Sequence, residues 1–337
     1  MDIKNILFKL SERDSVGNIR EASDFAYNEM AKFAEVERTN NLGVIGFLKG
    51  KSDYTVMLDA HIDQIAMIVT GIDDNGFLSV AKSGGIDIRA LPARSVTVYG
   101  TEKISAVFCS TPPHLASGEV EYDNISKIKL DTGLGTMTKN IVSVGNYVTF
   151  SSKPENLLGD RVTGRSFDDR SGVACLLELS ERLSGKELPV NVVFALSDQE
   201  ELGLRGAITA AYKVNPDEAV VIDVSFGDGI GISNEECGKL AGGPMIGISP
   251  ALDSKISEKL IKIATENEIS HQLEVMGEYT GTNADVISVI REGVRACTLS
   301  IPLRNMHTDV ELLDLKDLYS TCDLLEKYII SGGVSNV

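Results

Sequence analysis

Apolar residues recur at helical spacing in two sets within about the first 35 residues of the chain. The sets are Ile3, Ile6, Leu7 and Leu10, then Phe25, Ala26, Met30 and Phe33. Gly17 lies between them, and glycine is poorly suited to a helix interior. The pattern therefore predicts two helices, or one helix that is broken at Gly17.

Short apolar runs at 44–48 and 55–60 are bounded by Gly, Lys and Asp, which predicts buried strands. From about residue 70 the pattern changes to short alternating segments, such as 95–99 and 146–150, which are separated by Gly, Pro and Asn. No convincing helix stands out before about residue 157. This middle third is therefore predicted to be a small all-β module.

After residue 158, predicted strands alternate with predicted helices, which favours a parallel or mixed sheet. The strands are expected at 190–197, 219–223 and 296–301, and the helices at 172–183, 254–267 and 315–330. We therefore predict an α/β fold, with a mixed-sheet α/β/α domain formed by residues 1–69 and 158–337. Residues 70–157 would be a small inserted β-barrel-like domain.

The composition of this globular chain argues against some classes of partner. The 337 residues carry a formal net charge of -17 with scattered Lys and Arg, so no basic surface for nucleic acid is expected. The acidic N-terminus is not typical of a signal peptide, and no apolar run approaches the roughly 20 residues that span a bilayer. Five widely spaced cysteines without a CxxC pair indicate reduced core residues. We predict a cytoplasmic protein without a membrane partner.

Polar residues follow several of the predicted strands, where α/β sheets form their binding sites. A further acidic pair precedes the predicted helix at 172–183. In chain order, the candidates are His61 and Asp63, Asp168 and Asp169, Glu200 and Glu201, Asp223, and His307.

Each candidate alone has an ordinary structural interpretation, such as a helix cap or a solvated turn. Two histidines together with three carboxylates, however, form a ligand set that suits Zn, Co or Mn. The other histidines, His114 and His271, lie far from the strand ends and are interpreted as structural. The absence of a GxSxG motif and of a Gly-rich phosphate loop removes the main support for acyl-enzyme and nucleotide chemistry.

The order and spacing of these motifs resemble the family 42 metallopeptidases. That family includes the tetrahedral TET aminopeptidases and relatives labelled FrvX, glutamyl aminopeptidase or, in some cases, cellulase. The matching pieces are His61-Ile62-Asp63, Gly84-Gly85-Ile86-Asp87, Pro112-Pro113-His114-Leu115, residues 164–172, residues 200–207 and residues 301–308. The resemblance covers most of the chain, and the Glu-Glu and final His motifs are its specific parts.

The resemblance implies a two-metal aminopeptidase that acts on unblocked peptides. Asp168 would bridge two divalent ions, with Zn or Co expected and Mn also compatible. His61 and Asp223 would complete one metal site, and Glu201 and His307 the other. Asp63 would orient His61, and Glu200 would be the general base. The resemblance also implies that the β-rich insert serves assembly into a homo-oligomer, which in the TET relatives is a tetrahedral dodecamer.

Three stretches depart from the family pattern without removing a predicted ligand. Near the start the chain reads Ser15-Val16-Gly17-Asn18, where the family often shows a Ser-Gly-x-Glu turn. Gln64 stands where the family usually has Glu, and Asn283 stands where it has Asp. The first residue preferred, the physiological metal and the choice between dimer and dodecamer are left open. One alternative is a catalytically weak or silent shell-forming or peptide-binding protein of the same fold. The other is a glycoside hydrolase, whose chemistry would need two carboxyls around a sugar oxygen and no metals.

Overall fold

The computed structural model describes residues 2–115, 124–233 and 235–335. The helices are α1 (Ile3–Ser11), α2 (Glu21–Met30), α3 (Phe167–Leu183), α4 (Arg205–Val214), α5 (Ser254–Glu266), α6 (Ala284–Ile287) and α7 (Leu315–Ile330). Within the described ranges, no helix combines the length and the apolar composition that a bilayer span requires.

The strands lie in four sheets. In chain order they are β1 (Ser15–Val16), β2 (Ile19–Arg20), β3 (Glu35–Arg38), β4 (Val44–Leu48), β5 (Thr55–His61), β6 (Ala66–Ile72), β7 (Leu78–Ser83), β8 (Ser95–Tyr99), β9 (Lys103–Phe108), β10 (Leu130–Asp131), β11 (Tyr147–Phe150), β12 (Glu155–Asn156), β13 (Arg161–Gly164), β14 (Asn191–Ser197), β15 (Glu218–Phe226), β16 (Met245–Ile248), β17 (Gln272–Val275), β18 (Arg295–Leu303) and β19 (Glu311–Asp314). Strands β12, β13 and β19 form one small sheet, and β1 and β2 form another.

The largest sheet is mixed, with the strand order β17, β16, β18, β15, β5, β14, β4, β3. Its centre is parallel, because β5 pairs in parallel with both β14 and β15, and β15 pairs in parallel with β18. The outer strand β4 runs antiparallel to β14, and β16 runs antiparallel to β18. The parallel centre explains why 55–60 is a continuous apolar run, since both faces of β5 are covered.

Helices cover both faces of this sheet. Val56 and Leu58 of β5 belong to the apolar core that also contains buried residues of α1, α2, α3, α5 and α7. Met57, between them, points to the opposite face and joins the core under α4 and α6. The period of two along a strand thus divides one apolar run between two cores. The predicted α/β/α layering is confirmed.

The middle of the chain forms a closed barrel with the strand order β10, β7, β6, β11, β8, β9, and β10 closes it by pairing with β9. Its interior holds alternate residues of these strands, such as Val96 and Val98 of β8. The helical turns in its described part are short 3-10 turns. The prediction of an inserted barrel is confirmed. The barrel strands run from Ala66 to Phe150, and the division at residues 1–69, 70–157 and 158–337 stays a prediction.

Two helices, α1 and α2, open the chain as predicted, and the β1–β2 hairpin separates them. Gly17 forms the turn of this hairpin at φ +56°, where a Cβ atom would collide with the ring of Tyr147 from the barrel. A glycine is required there because both the backbone angle and the close approach exclude a side chain. The five cysteines are free, and Cys175, Cys297 and Cys322 are buried, as expected of reduced core residues.

A buried ionic network ties the barrel to the α/β part. The carboxylate of Asp14, between α1 and β1, accepts hydrogen bonds from Tyr99 and Thr149 of the barrel. It also accepts from Arg165 and from the amide of Gln64, at 2.8 Å. Burial opposes the charge, but the Arg165 guanidinium and these hydrogen bonds hold the pKa of Asp14 below its ordinary value.

Replacing Asp14 with Ala should lower the free energy of unfolding by about 3–5 kcal/mol, because the substitution leaves the buried Arg165 charge without its partner. Urea denaturation followed by circular dichroism measures this change. The matched control is Asp24→Ala, which removes an exposed partner of Arg38 and should cost under about 1 kcal/mol. Equal stabilities of the two variants would show that the network does not join the two parts energetically.

Candidate metal centre

The parallel strands end at one edge of the sheet and bring the predicted site residues together there. His61 is the last residue of β5, Asp223 lies within β15, and the loop after β14 carries Glu200 and Glu201. The remaining residues come from the start of α3 and from the turn after β18. A cavity of about 270 Å³ is lined by His61, Asp168, Glu200, Glu201, Asp223 and His307, together with Val224, Ser225, Phe226, Glu274, Thr280, Gly281, Thr282, Ser300 and Met306.

Asp168 lies between the two histidines. Its Oδ1 is 2.9 Å from Nε2 of His61, and its Oδ2 is 3.2 Å from Nε2 of His307. Asp168 and Asp169 have non-helical backbone angles at the start of α3, so the side chain of Asp168 turns into the cavity instead of continuing the helix. A carboxylate that presents one oxygen to each of two imidazoles can serve two ligand sites at once.

The other predicted ligands surround this pair. Nε2 of His61 lies 3.9 Å from Oδ1 of Asp223 and 4.0 Å from Oε2 of Glu200. Nε2 of His307 lies 3.5 Å from Oε1 of Glu201. Ligand atoms of His61, Asp168 and Glu201 all lie within 4.8 Å of one another, which is close enough for them to share one cation.

Asp63 lies beneath the cavity and supports the Glu200–Glu201 turn. Its two carboxylate oxygens accept hydrogen bonds from the backbone N–H groups of Glu200, at 3.0 Å, and Glu201, at 3.2 Å. Its Oδ1 also lies 3.5 Å from Nδ1 of His61, which is longer than a good hydrogen bond. Asp63 therefore holds the acidic turn directly, in addition to lying behind His61.

Glu311, the first residue of β19, is a buried site residue that the sequence patterns did not indicate. Its carboxylate accepts hydrogen bonds from the backbone N–H groups of Phe167, Asp168 and His307, at 2.6, 3.1 and 2.9 Å. It thus fixes the two backbone segments that present Asp168 and His307. No sequence signal distinguished it, because an acidic residue before two leucines is equally typical of an exposed strand end.

The barrel contributes to the centre through Gly84 and Gly85. A Cβ atom on Gly85 would lie 2.5 Å from Nδ1 of His307, so a side chain there would displace the imidazole. Gly84 has φ +91° and packs against Glu201. These contacts give a physical reason for the Gly-Gly pair at this point in the chain.

Asn283 and Gln64, which depart from the family pattern, both have hydrogen-bond partners. Asn283 donates from Nδ2 to Oδ2 of the fully buried Asp59, at 2.7 Å. Gln64 accepts from the fully buried guanidinium of Arg170, at 3.0 Å, and donates to Asp14. Burial raises the pKa of Asp59 to about 6, and an amide at 283 can donate to it without adding a second negative charge.

The centre concentrates negative charge in a buried place. Burial, reinforced by the neighbouring Asp168, raises the pKa of Glu200 to about 7 and that of Glu201 to about 8. Burial likewise raises the pKa of Asp223 well above its ordinary value. The hydrogen bond that His307 donates to Asp168 raises the pKa of His307 to about 9. The pKa of His61 is also raised, because Asp168 and Asp63 outweigh the opposing effect of its burial.

No lysine or arginine lines the cavity among the residues that the structure describes. The carboxylates there have only the two imidazoles to offset their charge, and imidazole nitrogen and carboxylate oxygen are both ligands that Zn, Co and Mn accept. The donor set therefore fits divalent cations, which would supply the missing positive charge. The individual roles of Asp63, Glu200 and the five ligand candidates stay predictions.

His114 and His271 lie outside this cavity. His114 is exposed on a 3-10 turn of the insert, and Nδ1 of His271 lies 3.0 Å from the carbonyl oxygen of Ile269. Neither residue lines the cavity of the candidate centre.

Comparison with known proteins points to one family. The profile of the M42 glutamyl aminopeptidase family matches residues 43–324 of the chain. A lysyl aminopeptidase from Pyrococcus furiosus is 30% identical over 313 residues, which cover 89% of this chain and 88% of that protein.

Two solved structures are similar over nearly the whole chain. A TET aminopeptidase from the marine sediment archaeon Thaumarchaeota archaeon SCGC AB-539-E09 has a TM-score of 0.92 at 28% identity, and the match covers 98% of this chain and 97% of that one. The Pyrococcus horikoshii TET1 peptidase, which can assemble into a tetrahedron or a large octahedral shell, has a TM-score of 0.86 at 29% identity. That match covers 97% and 99% of the two chains.

The raised pKa values predict that the centre without a cation loses stability as the pH rises. In the unfolded chain Glu ionises near pH 4.3, whereas Glu200 and Glu201 resist ionisation until about 7 and about 8, so their charge destabilises the folded state across that interval. The stabilising proton of His307 is fully present below about pH 6.5 and is lost as the pH passes about 9. Both effects lower the stability of the folded state as the pH rises.

We therefore expect the Tm of chelator-treated protein to fall between about pH 5 and pH 9, and the Tm of protein loaded with Zn or Co to fall much less. Differential scanning calorimetry of the two forms at matched ionic strength measures the difference. If the difference in Tm between the chelator-treated and the metal-loaded protein stayed constant across this range, the raised pKa values at the centre would be wrong.

Proposed function

The chain belongs to the M42 glutamyl aminopeptidase family, and on that premise we propose that it is a two-metal aminopeptidase which removes the first residue of unblocked peptides. Membership makes it a peptide hydrolase and implies the use of divalent metal. The single observation that carries the two-metal proposal is Asp168, whose two carboxylate oxygens face two different histidines at 2.9 and 3.2 Å.

In this proposal Asp168 is the shared ligand of two cations. His61 and Asp223 would complete one ligand set, and Glu201 and His307 the other. Asp63 supports this arrangement from behind, because it binds the backbone of both Glu200 and Glu201. Two divalent ions held here would acidify a water molecule and polarise the carbonyl of the scissile bond.

Glu200 is proposed as the general base and then the general acid. Burial raises its pKa to about 7, so its carboxylate both accepts and releases a proton near neutral pH. It would take the proton of the attacking water at a carboxylate oxygen and deliver it to the amine of the departing peptide. The backbone hydrogen bond from Glu200 to Asp63 keeps this carboxylate at the edge of the cavity.

The limited size and negative charge of the cavity favour the end of a peptide. A volume of about 270 Å³ accommodates about one residue, and a free amino terminus would have a lone pair to give to a cation held by this acidic lining. An acetylated nitrogen would not, and the acetyl group adds bulk at the same place. These two properties support an exopeptidase that acts on the first bond and rejects blocked peptides.

A homo-oligomer is proposed from the similarity to TET proteins. The P. horikoshii TET1 peptidase assembles into a tetrahedron or an octahedral shell, and this chain matches it over 97% of its own length. We propose that the insert at residues 70–157 contributes to such an assembly, with a tetrahedral dodecamer as the expected form.

Neither alternative function has an observation of its own. A glycoside hydrolase would present two carboxyls across a gap for a sugar. Here the histidines lie among the carboxylates instead. A silent shell protein has no need for Glu200 beside the ligand candidates, yet Glu200 lines the cavity and is 4.0 Å from His61.

Replacing Glu200 with Gln should lower kcat on the order of 10²- to 10⁴-fold while leaving bound metal near the wild-type amount, because the amide no longer exchanges a proton. The contrasting variant is Asp168→Ala, which should lose metal at both sites. Steady-state kinetics and elemental analysis of dialysed protein measure the two effects. Loss of metal from Glu200→Gln would make this residue a ligand, and retained metal in Asp168→Ala would remove the shared-ligand assignment.

A matched pair of peptides, one with a free amino terminus and one N-acetylated, tests the proposed function itself. We expect sequential loss of first residues from the free peptide only, with activity abolished by a chelator and restored by Zn, Co or Mn. Mass spectrometry follows the products, and a reducing-sugar assay on soluble β-glucan runs alongside. Equal cleavage of both peptides, internal cleavage, or metal-independent release of sugar would overturn the proposal.

A further inference from the structure

A second cavity adjoins the candidate metal centre. Its volume is about 510 Å³, and it shares four lining residues with the smaller cavity, namely Ser225, Phe226, Glu274 and Thr280. A group bound at the centre can therefore extend past these four residues into the second cavity. We name this second cavity the side pocket.

The side pocket has apolar walls and acidic groups. Its apolar lining consists of Phe226, Ile232, Met245, Leu273, Val275 and Met276. Glu274 lies at the junction with the metal centre, and the exposed Glu235 and Glu236 also line the pocket. No lysine or arginine is among the described residues that line it.

Glu274 is held in place at this junction. It is a residue of β17, and its Oε2 accepts a hydrogen bond of 2.6 Å from the hydroxyl of Ser300 in β18. Glu274 lines both cavities, so its carboxylate can meet a ligand in either one. A fixed, partly buried carboxylate next to apolar walls matches a side chain with an apolar stem and a cationic end.

A third cavity also adjoins the centre and has no unpaired carboxylate like Glu274. Its volume is about 770 Å³, it shares Phe226 and Met306 with the smaller cavity, and its charged lining residues, Arg304 and Asp228, pair with each other at 2.9 Å. A peptide continues beyond its first residue, so the remainder of the substrate suits this larger volume. The acidic side pocket is then left for the first side chain.

We propose that Glu274 determines specificity and selects peptides whose first residue is lysine or arginine. The inference rests on the proposed aminopeptidase function. The methylene groups of such a side chain would pack against Phe226 and Met276, and its cationic group would bind the carboxylate of Glu274. An acidic first residue would meet Glu274 as a like charge.

The test compares tripeptides that differ at a single place. Lys-Ala-Ala and norleucine-Ala-Ala share an unbranched apolar side-chain stem at the first residue, but only lysine carries an ε-amino group at its end. Ala-Lys-Ala places the same charge at the second residue. We expect wild-type protein to show a kcat/KM for Lys-Ala-Ala on the order of 10- to 100-fold above that for norleucine-Ala-Ala, the effect of one charge-assisted hydrogen bond. Glu-Ala-Ala should be the poorest substrate.

Glu274→Gln should reduce the ratio of kcat/KM for lysine to that for norleucine toward one, mainly through KM. Glu274→Lys should reverse the preference toward Glu-Ala-Ala. The control Glu258→Gln removes an exposed carboxylate of α5 that lines none of the three cavities, and it should leave rates and ratio unchanged. A general structural loss in Glu274→Gln would lower both rates and leave their ratio as it was.

An unchanged ratio in Glu274→Gln, a wild-type preference for acidic or apolar first residues, or an effect confined to Ala-Lys-Ala would each overturn this inference. In these cases metal-dependent removal of first residues would persist, so the proposed function would stand. If none of the free peptides is cleaved after metal addition, the proposed function fails and this inference fails with it.

Discussion

The constraint on which the site depends is the burial of several carboxylates around Asp168 without a lysine or arginine in the described lining of the cavity. Burial raises the pKa values of Glu200, Glu201 and Asp223, and repulsion from neighbouring carboxylates adds to the effect. Such an arrangement is poorly suited to stability and well suited to binding cations. The cation binding that we propose and the lower stability that we predict for the metal-free protein therefore have the same electrostatic cause.

The rest of the structure counteracts this repulsion with backbone hydrogen bonds. Asp63 binds the N–H groups of the Glu200–Glu201 turn, and Glu311 binds those of Phe167, Asp168 and His307. The hydrogen bonds to both carboxylates come from the polypeptide backbone. The candidate ligands are consequently fixed in direction while only the two imidazoles offset their charge, an arrangement that favours binding of a cation.

Family membership leaves the choice of substrate to the surroundings of the centre. The family carries the name glutamyl aminopeptidase, whereas the P. furiosus relative is a lysyl aminopeptidase. Similarity by itself therefore does not indicate whether an acidic or a basic first residue is preferred. The linings around the centre differ: Glu274 lies where the side pocket meets the centre, whereas the third cavity carries the ion pair of Arg304 and Asp228. Electrostatic complementarity of this kind discriminates between substrates that the catalytic residues treat alike.

Sequence patterns predicted the layers of the fold and indicated residues that line the smaller cavity. Continuous apolar runs mark parallel strands, and residues such as His61 and Glu201 follow such strands in a fixed order. The sequence could not indicate Glu311, Glu274 or the contact between Gly85 and His307, because these depend on elements far apart in the chain. Periodicity indicates which face of an element is buried. The packing of the barrel and the strands against one another decides which distant side chains meet, and a one-dimensional pattern carries no information about that packing.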